Sequence, residues 1–185
     1  MDPEGNLLIA DGFTALYDRH AQALYRYCAR RVGPDRAEDA VAQTFLVAYE
    51  KRHTVEPGAD PLPWLFGIAT NVLFRHRRDE VRGYRALART GADPLLVPMS
   101  AESHAARTDE RVDARVRART IARVLAKLPA RQRDVLLLYA VADLSYAEIA
   151  EALHLPLGTV QSALHRARTK LRKALDESSK AEGGR

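Results

Sequence analysis

Residues 144–173, LSYAEIAEALHLPLGTVQSALHRARTKLRK, constrain the fold of this chain more than any other stretch. Ser145 followed three residues later by Glu148 is a capping box, and it opens a short helix that runs to Leu153. His154, Leu155 and Pro156 break that helix, and a second begins near Leu157-Gly158-Thr159. In the second helix Val160, Leu164, Ala167, Leu171 and Leu175 recur at helical spacing and form one apolar stripe. Arg166, Arg168, Lys170, Arg172 and Lys173 lie along it with no Asp or Glu between 157 and 175, an imbalance suited to neutralising phosphates. Two helices joined by a tight turn, the second of them basic, make a helix-turn-helix whose second helix enters the major groove amino end first. Thr159, Gln161, Ser162, His165 and Arg166 are then the groove-facing residues, with Arg168 and Lys170 following toward the phosphates. The same pattern also fits an ordinary helical hairpin with a solvated basic face.

Charge favours the first alternative. The 185 residues include 29 Lys and Arg against 24 Asp and Glu, a net charge of +5, which suits a polyanionic partner. Cys28 is the single cysteine, so an intramolecular disulfide is excluded, and the six histidines are scattered. No bound metal and no cofactor are expected. The start, MDPEGNLLIADG, is acidic and lacks the basic and apolar regions of a signal peptide. The longest apolar run, 135–142, is too short to span a bilayer. A soluble cytoplasmic protein without a membrane partner is expected.

Upstream, Phe13, Leu16, Tyr17, His20, Leu24, Tyr27, Cys28 and Val32 follow helical spacing up to Gly33-Pro34. Asp35 with Glu38 reads as the cap of a second helix carrying Val41, Phe45, Ala48 and Tyr49 on one face. After a loop at 53–63, Trp64, Leu65, Ile68 and Val72 begin a long third helix that turns basic through Arg75, Arg77, Arg78, Arg82, Arg85 and Arg89. Residues 90–108 have no period and read as a flexible linker. A helix from Asp109 to Leu128, another over 131–141 and the helix-turn-helix complete the chain, and the tail 178–185 reads as disordered. The expectation is an all-α protein of two small helical domains, 11–89 and 109–177, joined by that linker. Each carries its own apolar faces, so the halves are expected to take a fixed relative placement only on a partner.

The second half, residues 109–177 and above all 128–175, resembles the fourth conserved region of bacterial RNA polymerase sigma factors of the extracytoplasmic-function (ECF) class. The segments LYDRHAQALYRYCARRVG, AEDAVAQTFLVAYE and PWLFGIATNVLFRHRR are similar to the second region of the same class. The resemblance implies a promoter-specificity subunit. Its first half would dock on the polymerase clamp through Asp39, Gln43, Tyr49 and Arg52 and open the minus-ten element with Asn71, Arg75, Arg77 and Arg78. Its second half would hold the beta-flap and read the minus-thirty-five element. The loop 53–63 stands where the class captures an extruded base. Core polymerase, promoter DNA and an anti-sigma factor are the implied partners. Departures from the class pattern include Ala40, Ala42 and Gln43 for Leu, Gln and an acid, and Gln161 and Ala163 for Lys and Arg. Arg75 stands at an often acidic place, and His154 replaces a glycine at a position that tends to need positive φ.

Three choices stay open at this level. The face of Asp39 and Gln43 is a protein contact or a solvated helix face. Trp64 stacks a base or, as is commoner at the start of an amphipathic helix, joins the core. The whole chain is a sigma subunit or a DNA-binding regulator that does not recruit polymerase. An enzyme has little support, since no nucleophile–base pair and no glycine-rich phosphate loop is evident.

Overall fold

The computed structural model describes residues 10–56, 58–91 and 108–183, and within these the chain is helical with short connections. Helix α1 (Ala10–Val32) ends at Gly33, whose positive φ of 86° takes the chain directly into α2 (Pro34–Lys51). Pro34 fits the first helical position because its missing N–H needs no acceptor there. The expected cap at Asp35 is therefore corrected: Gly33 is the cap residue, no side chain caps this helix, and Asp35 sits in its first turn. There its charge still complements the helix dipole.

A 3-10 turn (Arg52–Thr54) leads to α3 (Pro61–Phe74), capped by Asp60, whose carboxylate accepts from the Leu62 amide at 3.0 Å. Helix α3 buries Leu65, Phe66, Gly67, Ile68, Ala69, Thr70 and Leu73, so it is apolar around most of its circumference. A helix of that kind needs neighbours on several sides. The long third helix expected from the sequence is two helices. The Arg75 and His76 amides bond back three residues, to Val72 and Leu73, tightening and closing the last turn of α3. Helix α4 (Arg77–Thr90) restarts with Asp79 and Glu80 in its first turn and ends on left-handed Gly91.

In the second half α5 (Thr108–Lys127) meets α6 (Ala130–Ala140) at Pro129, and α6 buries Val135, Leu136, Leu137 and Leu138. Helix α7 (Tyr146–Leu153) has the expected capping box: Ser145 Oγ accepts from the Glu148 amide, and Glu148 Oε2 accepts from the Ser145 amide at 2.7 Å. His154 closes α7 at φ 50° and ψ 48°, the positive φ anticipated for that position. Helix α8 (Leu157–Gly183) carries Val160, Leu164 and Ala167 buried beneath it. It also corrects the expected disordered tail, since the helix continues to Gly183 with Ser178 hydrogen-bonded to Thr120 of α5.

The halves are not independent. Their buried side chains form one connected core, with α3 packed on α7 and α4 on α5. At Gly67 the approach is so close that an added Cβ would lie 2.4 Å from the Ala152 carbonyl oxygen. The expectation of halves placed only by a partner is thus overturned; the greater part of the expected linker, 92–107, lies outside the described residues. Trp64 is half-buried against this core, which resolves its reading in favour of packing.

The capping box generates a stability prediction. The Ser145 residue facing it, first through its hydroxyl and then through its amide, holds the Glu148 carboxyl below the usual carboxylate range. A group with a depressed folded pKa contributes above its unfolded value and loses that contribution as pH falls through the folded one. Ser145→Ala is expected to cost about 1 kcal/mol in urea unfolding at pH 7. The difference from the unsubstituted protein should narrow as pH falls below the ordinary carboxylate value of 4.5, and a gap that stays constant would contradict the reciprocal cap.

Candidate nucleic-acid interface

The amino end of α8 is fixed from below and open above. Ile149, Ala152, Val160, Ala163, Leu164 and Ala167 interlock α7 with α8, setting the angle at which the second helix projects. Above that contact Gln161, His165 and Arg166 are exposed, and Thr159 and Ser162 are half-buried. Ser162 Oγ donates to the Thr159 carbonyl at 3.1 Å, which orients it within the helix. In the first turn the Thr159 amide bonds to the Pro156 carbonyl at 2.8 Å, and the positive end of the helix dipole there suits a phosphate. The two remaining sequence-expected residues have protein partners. The Arg168 guanidinium lies 4.3 Å over the Tyr139 ring and donates to Tyr146 Oη at 3.2 Å, tying α8 to α6 and α7. Lys170 Nζ donates to Gln132 Oε1 at 3.1 Å.

In the first half, Asn71 and Arg75 are exposed at the end of α3, and Arg78 is exposed at the start of α4. Arg77 differs from them. Its guanidinium stacks 4.4 Å over Phe74 and donates to Asp134 Oδ2 at 3.3 Å, so it faces the second half. Phe74 itself, 61% exposed, is a candidate stacking surface that the sequence reading passed over. Its signal was available: a large aromatic at a helix end between an amide and three arginines.

On α2, Asp39 and Gln43 are exposed along the outer face. Tyr49 is partly exposed and carries the Arg52 guanidinium 4.1 Å over its ring, while Arg52 Nη1 donates to the Tyr49 carbonyl at 2.7 Å. Leu46, 55% exposed, extends that face one turn beyond Gln43 and was also missed. An apolar residue flanked by polar ones on an outer face suits a protein contact better than a purely solvated one.

Between the halves lies a cleft of about 630 Å³. Asn71 and Arg77 line it from the first half, and Thr159, Ser162 and Arg166 from the second, so the two sets of candidate DNA-facing residues share one opening. Beneath it is a buried ionic cluster that sequence reasoning did not anticipate. Arg31 of α1 pairs with Glu80 of α4 at 2.8 Å and with Asp134 of α6 at 2.6 Å. Arg133 Nε stands 3.4 Å from Glu80, and its Nη1 donates to the Leu125 and Leu128 carbonyls, each at 3.1 Å. Tyr27 Oη accepts from Arg31 at 2.6 Å and shares a hydrogen bond with Thr70, and its burial pushes the phenol up to about 12. Burial disfavours the Arg31 cation, but the surrounding oxygens of Tyr27, Glu80 and Asp134 more than reverse this and hold it charged. The missed signal was positional. Arg31 falls four residues after Tyr27 on the apolar stripe of α1, and Glu80 falls four before Tyr84 on that of α4.

Two family models match this chain, Sigma-70 region 2 over residues 16–83 and Sigma-70, region 4 over residues 118–171. The ECF RNA polymerase sigma factor SigW of Bacillus subtilis is 30% identical over 167 residues, covering 89% of each chain. SigL of Mycobacterium tuberculosis, another ECF sigma factor, is 36% identical over 165 residues, covering 88% of each. Among solved structures, CnrH in complex with the cytosolic domain of CnrY superposes with a TM-score of 0.66 at 24% identity, over 95% of this chain and 99% of that one. The sigma factor RpoE of Bartonella quintana, solved with the anti-sigma factor NepR, gives 0.60 at 23% identity over 89% and 96%. These two structures share the fold. The sequence relatives and both family models establish that the chain belongs to the ECF sigma factors of the sigma-70 family.

Proposed function

We propose that this sigma factor divides its work between its halves, docking on core RNA polymerase through the outer face of α2 and reading promoter DNA from two places. In this reading residues 11–89 form region 2, with Asp39, Gln43, Leu46, Tyr49 and Arg52 on the polymerase clamp. Asn71, Arg75, Arg77 and Arg78 follow the minus-ten strand, and the connection between the 3-10 turn and α3, within the expected loop 53–63, receives an extruded base. Residues 109–177 form region 4, which holds the beta-flap and places α8 in the major groove of the minus-thirty-five element. The observation that carries this is the open amino end of α8, where exposed Gln161, His165 and Arg166 project from a helix whose angle is set by a capped, interlocked α7. Gln161 has the amide geometry to pair bidentately with adenine, and Arg166 to pair with guanine or a phosphate.

The protein needs no catalytic chemistry for this role and acts in the cytoplasm, where polymerase and promoter are. No helix among the described residues is long and apolar enough to cross a membrane. An anti-sigma factor is a further proposed partner, supported by the two sigma–anti-sigma complexes whose sigma subunits share this fold. A regulator that does not recruit polymerase would have no use for the exposed Leu46 between Gln43 and Tyr49 on α2.

Run-off transcription with purified core polymerase on a promoter library tests the function and supplies the recognition sequence. Asp39→Arg combined with Gln43→Arg is expected to weaken core binding in a native gel shift while leaving the helical circular dichroism unchanged. Unchanged affinity would move the polymerase contact to another face.

The α8 residues separate into readers and braces. Gln161→Ala should relax preference at one base pair, by ~1–3 kcal/mol if its contact is bidentate, and leave thermal stability alone. Arg168→Ala should instead lower stability by about 1 kcal/mol, because it removes a cation–ring contact and a hydrogen bond between helices. A Gln161→Ala chain that loses affinity equally for every sequence would show that Gln161 reads no base.

A further inference from the structure

Phe74 is the most exposed large apolar side chain among the described residues, and it lines the cleft between the halves. The Arg77 guanidinium covers one face of its ring at 4.4 Å, and the ring stays mostly exposed, so its other face is open to stacking. We propose that this cleft binds a free purine nucleoside polyphosphate, its base stacked on Phe74 and its phosphates held by Arg131 and Arg166. The site stands independently of the promoter-reading assignment, whereas its effect on transcription rests on it.

Charge is the first reason. Three guanidiniums from three helices, Arg77 of α4, Arg131 of α6 and Arg166 of α8, line the opening, and Asp134 is the acid that lines it with them. That carboxylate is already engaged by Arg31 at 2.6 Å and by Arg77 at 3.3 Å. Arg131 and Arg166 are exposed and have no acidic partner among the described residues. Cations grouped round one concave opening focus a positive potential there and concentrate small anions. The helices add to it. Neither α6 nor α8 has an acid in its first turn, and no side chain caps α6, whose first residues, Ala130 and Arg131, line the opening. In α7, by contrast, Glu148 offsets the positive end of the dipole.

The second reason is that groups suited to a base adjoin this anion site. Asn71 is exposed about one turn before Phe74 on α3, and Gln132 follows Arg131 on α6; both line the opening. A carboxamide matches the neighbouring donor and acceptor on the edge of adenine. Lys170 donates to Gln132 Oε1 at 3.1 Å, and the amide nitrogen of Gln132 keeps its donors for a ligand. Size agrees. A volume of about 630 Å³ falls within the ~300–1,000 Å³ typical of small-molecule sites. A single strand is matched by cations running in file along a groove. Here the guanidiniums come from separate helices around one opening, which suits a compact ligand with several charged groups.

Occupancy has a consequence for α8. Arg166, Thr159 and Ser162 belong both to this lining and to the reading set of that helix. A bound polyphosphate engages Arg166 and puts negative charge beside the amino end of α8, where a DNA phosphate would otherwise come. Nucleotide and duplex therefore oppose one another, each lowering the other's affinity by the same factor. Gln161 lies outside the lining, and Arg131 lies outside the reading set, so substitution can separate the two functions.

The test uses the full chain. Equilibrium dialysis at one ionic strength measures binding of ATP, GTP, adenosine and inorganic triphosphate, and circular dichroism checks that each variant folds. ATP or GTP should bind saturably and about tenfold more tightly than triphosphate or adenosine alone, since only the nucleotide uses both parts of the site. Phe74→Ala should weaken that binding about tenfold, the scale of one base–aromatic stack, and Arg131→Ala by a similar factor. Gln161→Ala should leave it unchanged. In fluorescence anisotropy with a labelled duplex, nucleotide that saturates the unsubstituted chain should weaken its DNA binding severalfold and that of Arg131→Ala much less. Triphosphate binding as tightly as ATP, or Phe74→Ala binding ATP normally, would reduce the cleft to a general anion patch and overturn the proposal. So would the lack of saturable nucleotide binding up to ~1 mM. A short single-stranded oligonucleotide that needs Phe74 and Arg131 where free nucleotide fails would assign the cleft to the promoter strand instead. Run-off transcription keeps the two claims apart. If Gln161→Ala alters base preference there and no nucleotide binds, the promoter reading stands and the nucleotide site falls. If nucleotide binding follows Phe74 and Arg131 while Gln161→Ala alters nothing, the site stands and the base-reading assignment falls.

Discussion

The Arg31 guanidinium is the point on which the two halves of this protein meet. It lies within α1, is almost wholly removed from water, and bonds at once to Glu80 in its own half and Asp134 in the other. A buried cation with one carboxylate would leave donors unmet, and the second carboxylate together with Tyr27 Oη supplies the difference. Because Asp134 comes from α6, satisfying Arg31 fixes where the second half sits. The packing of α3 on α7 follows the same placement, with Gly67 giving Ala152 room to approach.

That arrangement has a functional side. A promoter subunit has to present two reading surfaces to separate stretches of one duplex, while the structure directs Arg77 and Arg166 toward a single cleft. The outer face of α2 lies outside that cleft, and Asp39 and Gln43 remain exposed. In the function proposed above, polymerase docking on α2 and base reading by α8 therefore use separate surfaces. The sequence relatives and family models establish the class, and the ionic contact is a property of this chain's own residues.

Much of the architecture was legible from periodicity and caps. The Ser145–Glu148 box, the left-handed His154 and the apolar stripe of α8 are local features, set by neighbours within one or two turns, and they stand where the sequence placed them. The break at Arg75-His76 was not legible, because no proline or glycine marks it. The boundary depends on the last turn of α3 tightening and on Asp79 and Glu80 starting a new helix. The cap at Asp35 was misread because Gly33-Pro34 looks like a terminator of the preceding helix and is also the start of the next. The ionic cluster escaped because its members, Arg31, Glu80 and Asp134, are far apart in the chain, and each alone resembles a solvated charge. Arg168 shows the same limit at the interface: a basic residue in a basic helix reads as a phosphate contact until Tyr139 is found beneath it.

The central claim is that the free chain holds its halves in one arrangement, and a distance distribution across them tests it most directly. Ala42 on α2 and Arg123 on α5 are exposed and lie on opposite halves, whereas Cys28 is fully buried, with its thiol pushed up to about 12, and is protected from labelling. Double electron–electron resonance on the Ala42→Cys, Arg123→Cys chain carrying two spin labels, without polymerase or DNA, should give one narrow distribution. A broad distribution spreading over tens of ångströms would contradict the account and return the halves to independent motion.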